Sequence, residues 1–69
     1  MQIGDYILIH HKNTTWIGQI THVKNYITYK AITKGFDQII GGNYGVDSNW
    51  IIASFKENNF KDSYPELFI

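Results

Sequence analysis

The sequence predicts an all-β domain, five short antiparallel strands in one sheet that curls into a small barrel, with a C-terminal tail or short helix docked on it. Three observations carry this expectation. Isoleucine outnumbers leucine twelve to two and aromatic residues make up 16% of the chain, a bias toward side chains that suit a pleated surface better than a helix. The apolar segments are short and the connectors between them shorter, which forces antiparallel hairpins. Finally, 69 residues suffice for a single domain and no second one.

The first half reads as a three-stranded meander. Residues 6 to 11 form the first strand, Lys12-Asn13-Thr14 a polar turn, 15 to 23 the second strand, Lys24-Asn25 a turn and 26 to 32 the third strand. A two-residue turn at Lys24-Asn25 pairs Ile20 with Tyr29, Gly18 with Ala31 and His22 with Ile27. A two-residue turn at Asn13-Thr14 pairs Ile9 with Gly18 and Ile7 with Ile20, which gathers all of these on one face. A three-residue loop would put Tyr6 and Leu8 there instead, because a one-residue slip reverses the faces of a strand. The first register is the expected one.

The opposite face carries Tyr6, Leu8, Ile17, Val23, Tyr26 and Ile32 among polar residues, so part of it needs a cover. Residues 36 to 40 are the expected fourth strand and 50 to 55 the fifth. Asp47 or Ser48 is also able to cap a helix running from Trp50 to Glu57. The tail from Lys56 onward places Phe60, Tyr64, Leu67, Phe68 and Ile69 around Pro65, and its apolar residues are expected to dock on the barrel or on a neighbouring chain.

Composition narrows the function classes. Six lysines (12, 24, 30, 34, 56 and 61) balance six acidic residues, and arginine is absent. A duplex-binding surface normally uses a basic excess and arginine forks, so duplex nucleic acid is not the expected partner. The absence of cysteine removes thiol chemistry and disulfides and suits a reducing compartment, the cytoplasm. The first residues lack a basic and apolar leader pattern, and no run approaches the roughly 18 apolar residues of a membrane helix, so neither export nor membrane insertion is expected. The excess of Ile, Asn, Lys and Tyr is what an AT-rich genome, such as that of a low-GC bacterium or its phage, would encode.

Gly4-Asp5-Tyr6-Ile7-Leu8-Ile9, Thr15-Trp16-Ile17-Gly18-Gln19-Ile20 and Tyr26-Ile27-Thr28-Tyr29 resemble the opening of SH3-like small barrels of the Tudor-like kind. Tyr44-Gly45 is similar to the Tyr-Gly turn that follows the third strand of Tudor domains, although a long insertion, Lys30 to Asn43, precedes it here. The resemblance covers about half of the chain. It implies an SH3-like barrel, a scaffold that binds peptides, nucleic acids or protein surfaces and whose function is set by its site.

Several constellations are weak as sites. His10 and His11 point to opposite faces of a strand, so at most one joins His22, short of the three or four ligands a metal needs. Ser48, Ser54 and Ser63 have no histidine near in sequence to form a nucleophile and base pair. Gly41-Gly42-Asn43-Tyr44-Gly45 lacks the Gly-Lys-Ser/Thr ending of a phosphate loop and reads as a turn. No cofactor is expected.

The aromatic residues are the most informative feature. Most must fill the core, but Trp16 beside the first turn and Tyr44 in the glycine-bearing segment stand where a barrel displays contact residues. With His11, Trp50 and Tyr6 they form the candidate binding set. The expected function is a non-enzymatic adaptor or inhibitor that docks on a protein partner through exposed aromatics. The alternatives are a self-associating homo-oligomer that holds a small ligand such as a nucleotide, and a single-strand nucleic-acid binder that works by stacking.

Overall fold

Alternating apolar side chains on both faces of a short strand demand packing on two sides, and the fold answers that demand. A computed structural model describes residues 1–35, 37–57 and 60–68, without the side chains of Lys61 and Phe68. Strands β1 (Tyr6–His11), β2 (Thr14–His22), β3 (Ile27–Ala31), β4 (Asn43–Val46) and β5 (Ile51–Phe55) form one antiparallel sheet in the order β4-β3-β2-β1-β5. On one face Ile7, Ile9, Trp16, Ile20, Tyr29 and Ala31 are buried together. Tyr44 and Val46 of β4 and Ile51 of β5 pack on this same cluster, so the two edges of the sheet curl toward a common interior. All-β architecture with five antiparallel strands is as the sequence predicts.

The first hairpin turns one residue earlier than expected. Lys12 and Asn13 have φ of 49° and 64°, the pair of positive values that a two-residue type I′ turn requires and that matches the twist of its strands. The register accordingly pairs Ile7 with Gly18 and Ile9 with Trp16. This differs by two residues from the pairing of Ile9 with Gly18, and a shift of two leaves every side chain on its predicted face. In the second hairpin Gly18↔Ala31 and Ile20↔Tyr29 stand as predicted. Beyond them a bulge at Thr21 pairs His22 with Thr28, in place of Ile27. The connection is therefore Val23 to Tyr26, longer than Lys24-Asn25 alone, and Val23 packs toward the inner cluster.

The second half departs further. Residues 37 to 42 connect β3 to β4 and form no strand, while β4 lies at Asn43–Val46, so the predicted strand over 36 to 40 is corrected. Phe36 lies outside the described residues. Asp47 does cap, accepting from Asn49 N at 2.9 Å, but the turn it starts is a short 3-10 turn, Ser48–Trp50, that leads straight into β5. No helix continues to Glu57.

A bulge explains how β5 serves both faces. Leu8 pairs with Ala53 and Ile9 with Ile51, which leaves Ile52 as the extra, exposed residue. Ile51 thereby meets the inner cluster and Ala53 the outer one. The outer cluster is Leu8, Ile17 and Phe60, with Tyr6, Ile32, Tyr64 and Leu67 packed against it. Phe60 begins a single helical turn, α1 (Phe60–Ser63), followed by a 3-10 turn, Pro65–Phe68. The tail thus docks and supplies the cover that the outer face needs.

Polar groups at the strand ends are matched to the fold. Gly4, with φ of 94°, lets its N–H reach Ile20 O at 2.8 Å, and Ile20 N donates to Asp5 O at 2.8 Å. Where β3 leaves β2, the buried Thr33 hydroxyl accepts from Ile17 N at 2.8 Å and replaces a strand partner.

Gly18 lies under the Tyr29 ring, and a Cβ there would fall inside contact distance of that ring and its Cβ. Gly18→Ala is expected to destabilise the domain by about 1–3 kcal/mol through overpacking, read as a lower denaturation midpoint; an unchanged midpoint would show that Tyr29 can shift.

Candidate functional site

The hairpin end of β1 and β2, the β3–β4 connection and the 3-10 turn converge at one mouth of the curled sheet. They enclose an open cleft of about 320 Å³ lined by His11, Lys12, Trp16, Tyr29, Asp37, Gln38, Tyr44, Gly45 and Trp50. Four of the five sequence-predicted residues, His11, Trp16, Tyr44 and Trp50, meet here. Tyr6 does not. It packs on the outer cluster beneath the tail, on the other face of the sheet.

Trp16 differs from its expected role. It was placed by sequence beside a turn and therefore in view, but it is 1% exposed. Alternation along β2 puts Trp16 on the same face as Gly18 and Ile20, and Gly35 sits directly against its indole. Its Nε1–H donates to the Tyr29 hydroxyl at 2.9 Å, so Trp16 forms the floor of the cleft and anchors Tyr29. Tyr44 crosses β4 to face Tyr29, ring centroids 6.1 Å apart, and its hydroxyl accepts from Ile39 N at 2.8 Å. That bond fixes the β3–β4 connection over the cleft. Trp50 lies half-buried with its ring stacked on His11, centroids 3.8 Å apart and planes 24° from parallel.

Sequence reasoning missed Lys12, Tyr29, Asp37, Gln38 and Gly45 as lining residues. Tyr29 was assigned to the core, where it also belongs, and Asp37 and Gln38 lay in the segment read as a strand. The Gln38 side-chain amide donates to the Tyr29 hydroxyl, and its Oε1 is buried with no partner among the described residues. Burial pushes the Tyr29 phenol above its ordinary value of 10.0, against the opposing effect of the bonds from Trp16 and Gln38.

The histidines go to separate places. His10 bonds Thr15 Oγ1 at 2.8 Å, His11 stacks on Trp50 and His22 stacks on Tyr26. No group of three or more His, Asp or Glu residues capable of holding a metal occurs among the described residues. Nor is any described helix long and apolar enough to cross a membrane. A second, smaller hollow of about 200 Å³ lies under the tail, lined by Leu8, Ala53, Phe55, Phe60, Ser63 and Tyr64. Chemically, the larger cleft offers aromatic faces, one carboxylate and one ammonium, a set suited to holding a group. Comparison with family models, curated proteins and solved structures finds no match.

Two outcomes follow from the Trp16–Tyr29 pair. Trp16→Ala is expected to cost about 3–5 kcal/mol, much of a small domain's total stability, and to appear as partial or full unfolding by circular dichroism. Tyr29 is more acidic unfolded than folded, so its contribution is complete below pH 10 and is lost as pH rises through its higher folded value. The melting temperature should fall more steeply above pH 10 in the wild type than in Tyr29→Phe; equal slopes would refute this.

Proposed function

We propose that the chain is a non-enzymatic binding module, an SH3-like barrel that docks on a protein partner by taking one of its side chains into the aromatic cleft. The strand order β4-β3-β2-β1-β5 with a 3-10 turn leading into β5 supports the barrel reading. The observation that carries the docking reading is the lip beside the cleft. Ile39 and Ile40 directly follow the lining residues Asp37 and Gln38, yet they are 74% and 61% exposed. A lone exposed isoleucine is ordinary, but two in succession at the rim of an aromatic cleft resemble the apolar centre of a contact surface. Such a surface is costly to leave in water and gains by being covered.

The cleft itself favours binding over chemistry. His11 is committed to Trp50, and no serine lines the cleft to act as its nucleophile. The charges at the rim are one lysine and one aspartate, which suits a partner surface of mixed charge more than a polyanion.

The double variant Ile39→Ser with Ile40→Ser is expected to lose capture of the partner by the immobilised chain, with stability changed by no more than about 0.5 kcal/mol because both side chains are exposed. Trp50→Ala should also lose capture, at a larger cost in stability because Trp50 is half-buried and packs on the inner cluster. Retained capture in both variants would overturn the docking surface, and a rise in melting temperature with nucleotides, without capture, would transfer the cleft to a small ligand.

A further inference from the structure

β4 borders the cleft and is also an edge of the sheet. In an antiparallel pair, residues that exchange both backbone hydrogen bonds alternate with residues whose N–H and C=O point outward. Ala31 N donates to Gly42 O at 2.8 Å. Carried along the register, this makes Tyr29↔Tyr44 and Ile27↔Val46 the bonded pairs, and Lys30↔Asn43 and Thr28↔Gly45 the outward ones. The N–H and C=O groups of Asn43 and Gly45 therefore face away from β3, along the edge where no other described strand pairs.

Edge strands are commonly blunted by a charge, a proline or a bulge. The opposite edge, β5, has the bulge at Ile52 and is followed by Lys56. Within its span β4 has none of these: Asn43, Tyr44, Gly45 and Val46 are uncharged and keep one unbroken register with β3, and the carboxylate of Asp47, which follows it, accepts from Asn49 N at 2.9 Å in the 3-10 turn. Gly45 lines the cleft, and a Cβ built on it would meet no atom within 4 Å, so no described side chain covers the face of the strand at this point. Opposite charges, Lys12 and Asp37, line the same cleft from two different connections.

We propose that the protein partner adds an extended segment to the free edge of β4, bonded to Asn43 and Gly45, and that one aromatic side chain of this segment enters the cleft. This rests on the cleft being the binding site. Residues two apart share a face of an extended chain, so the entering side chain is flanked at its second neighbours by an acidic residue for Lys12 and a basic residue for Asp37. Main-chain bonds then supply affinity and the cleft supplies selectivity, the usual division in strand addition.

The probes are two blocked pentapeptides, Asp-Thr-Trp-Thr-Lys and Lys-Thr-Trp-Thr-Asp, which cover both strand directions. Binding of one of them should slow amide hydrogen exchange at Asn43 and Gly45 and leave Tyr44 and Val46, already bonded to β3, nearly unchanged. N-methylation of one alternating set of peptide nitrogens should weaken binding roughly tenfold or more, and methylation of the other set should not, because only one set faces β4. Gly45→Pro, which removes an outward N–H without breaking the β3 ladder, should weaken binding to a similar degree. Shifts at Trp50 without slowed exchange at Asn43 and Gly45 would overturn strand addition and leave the cleft as the site. No response to either peptide would overturn it too, partner capture by the wild-type chain remaining the separate measure of the cleft. Slowed exchange in the peptide-free protein with a dimer mass by light scattering would give the edge to a second copy and overturn it.

Discussion

Everything in this domain depends on the fact that β1 and β2 are apolar on both faces. Ile7 and Ile9 alternate with Leu8, and Trp16 and Ile20 flank Ile17 on the other side, all of them buried. A flat sheet with such strands would expose one face to water at a cost of about 1.5–3 kcal/mol for each large side chain. The described residues form no second sheet to lay over it. The chain covers one face by curling the sheet on itself and the other by folding the tail back, with Phe60 as its buried anchor. The bulge at Ile52 reconciles the two solutions, since it lets β5 contribute Ile51 inward and Ala53 outward.

The cleft follows from the curl. A strongly bent sheet of five short strands closes well along its middle and less well at its ends, and at one end the gap is bordered by whatever the turns present. Here the end of β1, the strand β4 and the 3-10 turn present His11, Tyr44 and Trp50 above a floor of Trp16 and Tyr29. The Trp16 to Tyr29 bond makes that floor part of the core, so the deepest surface of the site and the stability of the domain rest on the same pair. The rim is different, because Trp50, Ile39 and Ile40 retain exposure and are held by the 3-10 turn and the Tyr44 hydroxyl.

Period-two alternation made the meander legible in the sequence, including the Ile20–Tyr29 pairing and the need for a cover over Leu8 and Ile17. The exact turn was not, since nothing in Lys12 announces a positive φ and Asn13 is not followed by the glycine that usually marks such a turn. β4 escaped because its residues include Asn43 and Gly45, which have little strand preference of their own; pairing with β3 and the packing of Tyr44 against Tyr29 hold them extended. The apolar run that drew attention instead, Ile39-Ile40, lies on the surface. Trp16 was misjudged by its nearness to a turn, although the alternation that buried Gly18 and Ile20 already buried it. His11, Trp50 and Tyr44 reach one place only through the three-dimensional path of the chain, whereas Tyr6, close to His11 in sequence, lies across the sheet.

The two tryptophans stand in unlike surroundings, and this gives the molecule a built-in pair of optical reporters. Trp16, 1% exposed and bonded to a phenol oxygen, meets bulk water only when the sheet itself comes apart. Trp50, half in solvent and lying against an imidazole ring, responds to whatever enters or leaves beside it. Unfolding therefore brings both indoles into water, whereas occupancy of the cleft takes water away from Trp50, so the two events shift the emission in opposite directions.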